Sequence, residues 1–179
     1  MKNLNIKLSR SWKVAVILVL SIIMFYGLLY FNESAIIEQI FGDELSHGYM
    51  AKTYFLKQSQ FIRPSKWFGG DIDDNILNYL KAEYSGKGLT LKKASESFFI
   101  RDTSGKVFSA FLKTGYYDKS TNERGSMLSV GPIRWLSPIK VEVDVGWYFG
   151  MLSSSSCTAI LTFNGRRWIV KEYINGVIS

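Results

Sequence analysis

The chain of 179 residues contains one cysteine and one histidine. A single cysteine excludes an intramolecular disulfide, so the folded part has to hold together through its core. With His47 as the only histidine, zinc has no His/Cys ligand set. No G-x-S-x-G elbow is present, and Gly69-Gly70 carries neither Walker nor G-x-G-x-x-G spacing. Serine-hydrolase and phosphate-loop chemistry therefore have no motif to rest on. Charge of one sign is also scarce. The net charge is +7, but Lys2, Lys7, Arg10 and Lys13 supply four of these, leaving 18 basic against 15 acidic residues. That excess is too mild to point to nucleic acid.

What is present begins with Val14 to Phe31, "VAVILVLSIIMFYGLLYF", 18 residues without a charge. As a helix it would reach roughly 27 Å, close to the hydrocarbon thickness of a bilayer. The run exceeds a signal-peptide core, and "YFNESA" offers no small-x-small cleavage site, so it reads as an uncleaved anchor. Basic residues precede it and Glu33, Glu38, Asp43 and Glu44 follow. The positive-inside rule then predicts a bacterial inner-membrane, single-pass protein with a cytoplasmic N-terminus and a periplasmic C-terminal domain. The expected division is a basic tail at 1–13, a transmembrane helix at 14–31, a juxtamembrane linker or helix at 32–50, and an α+β domain at 51–179.

Within 32–50, Ile36, Ile37, Ile40 and Phe41 recur at helical spacing. "AKTYFLKQSQFIRP" fits either a strand or the end of a helix. A helix is predicted from about Asp73 to Ser85, with Asp71, Asp73 and Asp74 at its start, an apolar stripe through Ile76, Leu77, Leu80 and Tyr84, and Gly86 as C-cap. "SESFFIRDTSGKVFSAFLK" reads as strand, turn, strand, and Asp118 to Ser126 as a long exposed loop. From Lys140 to Phe149, Val141, Val143, Val145, Trp147 and Phe149 alternate with polar or small residues, which marks a half-buried strand. "CTAILTF" and "RRWIVKEY" follow as strands joined at Asn164-Gly165, a two-residue hairpin signal.

Each group that could carry chemistry has a plainer reading. Ser153 to Ser156 have no neighbouring base and look like a turn between strands. Cys157 shares a face with Ala159, Leu161 and Phe163 and reads as a small buried residue, with a Cys157–His47 dyad as the alternative. Asp71, Asp73 and Asp74 lack the central glycine of a calcium loop and are read as helix-capping. His47 is read as a solvated linker residue. No catalytic, cofactor-binding or metal residue is assigned, and no cofactor is expected. The remaining signal is aromatic: Trp135, Trp147, Phe149 and Trp168 could line a ligand or partner pocket, or simply fill a core of large side chains.

The closing stretch "IKVEVDVGWYFGMLSSSSCTAILTFNGRRWIVKEYINGVIS" resembles the end of proteins with the nuclear-transport-factor-2-like (cystatin-like, NTF2-like) fold. That resemblance implies an α+β domain in which a curved antiparallel sheet packs against one or more helices. The acid–base residues of the enzymatic members have no counterpart on the Val, Val, Val, Trp, Phe face. Basic tail, single span and such a domain together also resemble the VirB8-type assembly components of type IV secretion machines. The expectation is a non-enzymatic, membrane-anchored binding or interaction domain with a protein partner or a small apolar ligand and a possible homo-oligomer. The alternatives are a secretion or envelope assembly subunit, a periplasmic immunity or inhibitor protein, and an enzymatic or small-molecule-binding domain of that fold.

Overall fold

The computed structural model describes residues 10–47, 51–58, 70–103, 113–149 and 154–178. The chain divides into two compact units, Met1–Ser34 and Ala35–Ser179. Helix α1 (Arg10–His47) is continuous over 38 residues. In the first unit the described large apolar side chains, among them Trp12, Ile17, Leu20 and Met24, are exposed.

The expected membrane span is corrected here. Among the described residues, no helix is long and apolar enough to cross a membrane. A span needs about 20 predominantly apolar residues in sequence. Of the Val14 to Phe31 run, only the side chains at 14–22 and 24 are described; those at 23 and 25–31 lie outside the described residues. The transmembrane-helix and signal-anchor assignments, and with them the single-pass, bacterial inner-membrane placement with a periplasmic C-terminal domain, are withdrawn on that finding.

Among its described residues the second unit has nine strands: β1 (Thr53–Gln58), β2 (Gly70–Asp71), β3 (Thr90–Lys93), β4 (Ser97–Ile100), β5 (Gly115–Asp118), β6 (Arg124–Ser137), β7 (Lys140–Tyr148), β8 (Ser154–Phe163) and β9 (Trp168–Ile178). Their main path runs β2-β1-β6-β7-β8-β9. From β6 to β9 each neighbour is antiparallel, as alternation and short connections dictate. The expected α+β domain with a curved antiparallel sheet is corrected here, because β1 runs parallel to both β3 and β6. Parallel neighbours need a long crossover, and helix α2 (Asp74–Tyr84) lies in the connection from β1 to β3. The fold is thus mixed α/β, one nine-stranded sheet with few helices.

Local chemistry accounts for the ends of the elements. The Asp73 carboxylate accepts the Asn75 amide at 2.8 Å and caps α2, while Asp71 accepts the Ser95 amide at 2.7 Å and Asp74 pairs with Lys93 at 2.7 Å. The stop comes two residues later than Gly86: a short 3-10 turn follows α2, and Gly88 takes the left-handed conformation at φ 69°. The predicted loop at Asp118 to Ser126 contracts to a tight turn organised by buried Asp118, and its last residues already belong to β6. Asn164-Gly165 does turn the chain, but Phe163 pairs with Trp168, so the β8–β9 connection has four residues. The Asn164 side chain holds it by accepting the amides of Arg166 and Arg167, both at 3.0 Å. The second strand expected in "SGKVFSAFLK" falls largely outside the described residues.

One face of the sheet carries the core. Val141, Val143 and Val145 of β7 meet Ala159 and Leu161 of β8 and Leu128 and Val130 of β6. Onto them pack Ile36, Ile37, Ile40, Phe41 and Leu45 from the end of α1, together with Ile76, Leu77, Leu80 and Tyr84 of α2. Fully burying each aliphatic or Phe side chain contributes about 1.5–3 kcal/mol. The two helices are tied where the Tyr84 hydroxyl donates to the Gly42 carbonyl at 2.6 Å.

Candidate functional site

Beyond the apolar core, where β7, β8 and β9 pass the last turns of α1, the packing opens into a cleft of about 530 Å³. Among the described residues it is lined by Asp43, Glu44 and His47 from α1, Trp147 from β7, Ser155, Ser156 and Cys157 from β8, and Tyr173 and Gly176 from β9. The wall on the β9 side has a specific cause. Ser156 pairs with Val177 and Thr158 with Ile174, so Cys157 alone spans the stretch that Asn175 and Gly176 span together. Asn175 adopts φ 55°, a left-handed conformation that asparagine tolerates, and the extra residue makes a β-bulge. A side chain at Gly176 would meet nothing within 4 Å.

The polar groups of the cleft are tied into pairs. The Trp147 indole N–H donates to Glu44 Oε2 at 2.7 Å, and the Tyr173 hydroxyl donates to Asp43 Oδ2 at 2.7 Å. His47 Nδ1 lies 2.8 Å from the Asp43 carbonyl oxygen and 3.8 Å from Asp43 Oδ2. Burial is the main reason the Glu44 carboxyl sits above its ordinary range. The charge of Asp43 adds to that, while hydrogen bonds from Tyr173 and Trp147 and the nearness of His47 oppose it. Burial, then hydrogen bonding to Glu44 and Asp43, pushes the Tyr173 phenol up. The Cys157 thiol is pushed up to about 11, first by burial and then by the negative charge of Glu44 and Asp144. A thiol in that state is a weak nucleophile at neutral pH.

Three of the four serines expected in a turn are strand residues: Ser154, Ser155 and Ser156 pair with Tyr148, Trp147 and Gly146. Ser153 lies outside the described residues. Cys157 shares the buried face with Ala159 and Leu161, and it lines the same cleft as His47, which closes α1 instead of lying in a linker. Of the four aromatics proposed for a pocket, only Trp147 lines this cleft. Trp135 and Trp168 form an edge-to-face pair at 5.6 Å, and Phe149 packs against the core with its carbonyl accepting from Arg124 at 2.9 Å. Asp43, Glu44, Tyr173 and Gly176 were missed. Two signals pointed to them: a second Asn-Gly inside a strand pattern marks a bulge, and Asp43, Glu44 and His47 share the last turns of one helix.

On the far face of the sheet a smaller hollow of about 230 Å³ is lined by Phe99, Arg101, Thr114 and Tyr148. The rings of Phe99, Tyr116 and Tyr148 contact one another pairwise there, at 5.1–5.6 Å. Among the described residues no group of three or more His, Cys, Asp or Glu side chains could hold a metal ion. Comparison with known proteins finds no match, whether to protein-family models, curated proteins or solved structures.

Proposed function

We propose that this protein is a small-molecule-binding module without covalent chemistry, and that its ligand occupies the cleft between the end of α1 and strands β7 to β9. The observation that carries this reading is the cleft itself. Its volume of about 530 Å³ falls in the range of sites that hold small ligands, roughly 300–1,000 Å³, and aromatic side chains meet a few convergent polar groups there. The elevated Cys157 thiol favours binding over catalysis, since a nucleophilic cysteine works as its thiolate.

The test is a fragment panel of neutral, anionic and cationic compounds, followed by NMR on the full chain through the Trp147 indole N–H, assigned by comparison with Trp147→Phe. At least one fragment is expected to shift that resonance saturably. A panel in which no fragment moves it overturns the reading. In parallel, iodoacetamide is expected to alkylate Cys157 slowly at pH 7, with a rate that climbs toward pH 11. Rapid alkylation at pH 7 would instead favour the Cys157–His47 alternative, whose two members line this same cleft.

A further inference from the structure

Resting on that reading, we infer that the cleft selects an organic cation, a small molecule with an ammonium or guanidinium head. Asp43 and Glu44 are adjacent on α1 and both line the cleft, yet among the described residues neither forms an ion pair with a lysine or arginine. Among the described residues their one basic neighbour is His47, whose side chain is 77% exposed. Elsewhere in the same unit, Asp74, Asp118, Glu142 and Asp144 each have a lysine or arginine partner.

Position on the helix adds to the charge. Asp43 and Glu44 stand near the carbonyl end of α1, where the helix dipole is negative and acidic side chains are disfavoured. Two carboxylates and a helix C-terminus thus face one half-buried space that, among the described residues, receives no lysine or arginine. Such an arrangement costs stability by itself and is relieved by a positive ligand. The rest of the lining suits the same ligand. Trp147 and Tyr173 present aromatic surface, which attracts cations more strongly as water is excluded. Their N–H and O–H each hold one carboxylate in place, so the acidic groups are oriented before the ligand arrives. An anion would meet like charge, and among the described residues no group of three or more His, Cys, Asp or Glu side chains could hold a bare metal ion.

The experiment titrates the full chain with choline, agmatine, and 3,3-dimethylbutan-1-ol, the neutral carbon isostere of choline, again reading the Trp147 indole resonance. Choline or agmatine is expected to bind saturably, and the neutral alcohol at least about tenfold more weakly. Glu44→Gln keeps an acceptor for the indole and is expected to weaken cation binding about tenfold, and Asp43→Asn similarly. Binding should also weaken with added salt. Circular dichroism checks that each variant is folded, and the salt titration keeps the inference testable if one is not. Equal binding of choline and its isostere, or unchanged affinity in folded Glu44→Gln, overturns the inference. So does a response to zinc alone or to anionic fragments without a response to the amines. In these cases the cleft remains a binding site for another class of ligand. Silence from the entire fragment panel removes the binding reading along with the cation.

Discussion

Asp118 and Glu44 are both carboxylates withdrawn from water, and the protein treats them in opposite ways. Asp118 is 2% exposed and saturated: Lys92 pairs with it, Ser120 donates both its amide and its hydroxyl at 2.7 Å, and the Thr121 amide adds a longer contact. The Lys92 ammonium is the main reason its carboxyl is held far below the usual range. Asp144, on the outer face of β7, is a milder case of the same kind. Arg134 binds it through two nitrogens at 2.6 and 2.8 Å, Thr158 donates at 3.1 Å, and its carboxyl is lowered. Glu44 accepts an indole N–H, has no lysine or arginine ion pair among the described residues, and is raised. At Asp118 and Asp144 the cation is supplied within the chain. At Glu44 none is supplied among the described residues, and the proposed ligand would bring it from outside.

Three substitutions sharpen or break this contrast. The largest effect is expected for Asp118→Asn, which leaves Lys92 without its buried partner and weakens the turn into β6. Its Tm should fall by several degrees at pH 7, measured by circular dichroism. Because the folded-state carboxyl is depressed, the stability it contributes is present above the ordinary carboxylate range and is lost as pH falls. The gap between wild type and variant should therefore close progressively below about pH 5. A gap that persists in acid would mean that the turn, and not the charge, carries the effect.

Glu44→Gln comes next, with the opposite sign. A raised folded-state carboxyl favours the neutral form, so its contribution is favourable in acid and turns into a cost as pH rises through the folded value. The variant should melt slightly above wild type at pH 7 and level with it near pH 4. Together with the weaker binding expected of this variant, a higher Tm would be the mark of stability traded for function. A lower Tm at pH 7 would place Glu44 with Asp118, among the structural acids. The smallest effect is expected for Asp144→Asn. Both partners of that pair are partly exposed, 44% for Arg134 and 41% for Asp144, so solvent screens it and the loss should be no more than about 1 kcal/mol in urea titration.

What could be read in the chain, and what could not, divides along the range of the interaction involved. The alternation of Val141, Val143 and Val145 and the stripe of Ile76, Leu77, Leu80 and Tyr84 are local periodicities, and all seven are buried. Asp73 caps α2 through a contact two residues away. The serines misled because small polar residues favour turns, whereas here Trp147 and Gly146 opposite them hold Ser155 and Ser156 in the ladder. No short-range pattern announces that β1 lies parallel to β6, since that pairing is set by a crossover and by core packing. The cleft was out of reach for the same reason. Glu44 meets Trp147 across 103 residues and Asp43 meets Tyr173 across 130, so the acids and their donors come together only once the sheet and the end of α1 have packed.

The bulge at Asn175-Gly176 has a second consequence, on the outside of the molecule. Among the described strands β9 ends the path, so one of its sides offers backbone groups that no described strand pairs and that a strand from another molecule could extend. Long flat edges of this kind template aggregation. Here the extra residue and the left-handed Asn175 interrupt the straight run of donors and acceptors, and exposed Lys171 and Glu172 place charge just upstream. The kink that opens the cleft wall thus also guards the sheet against growth from molecule to molecule.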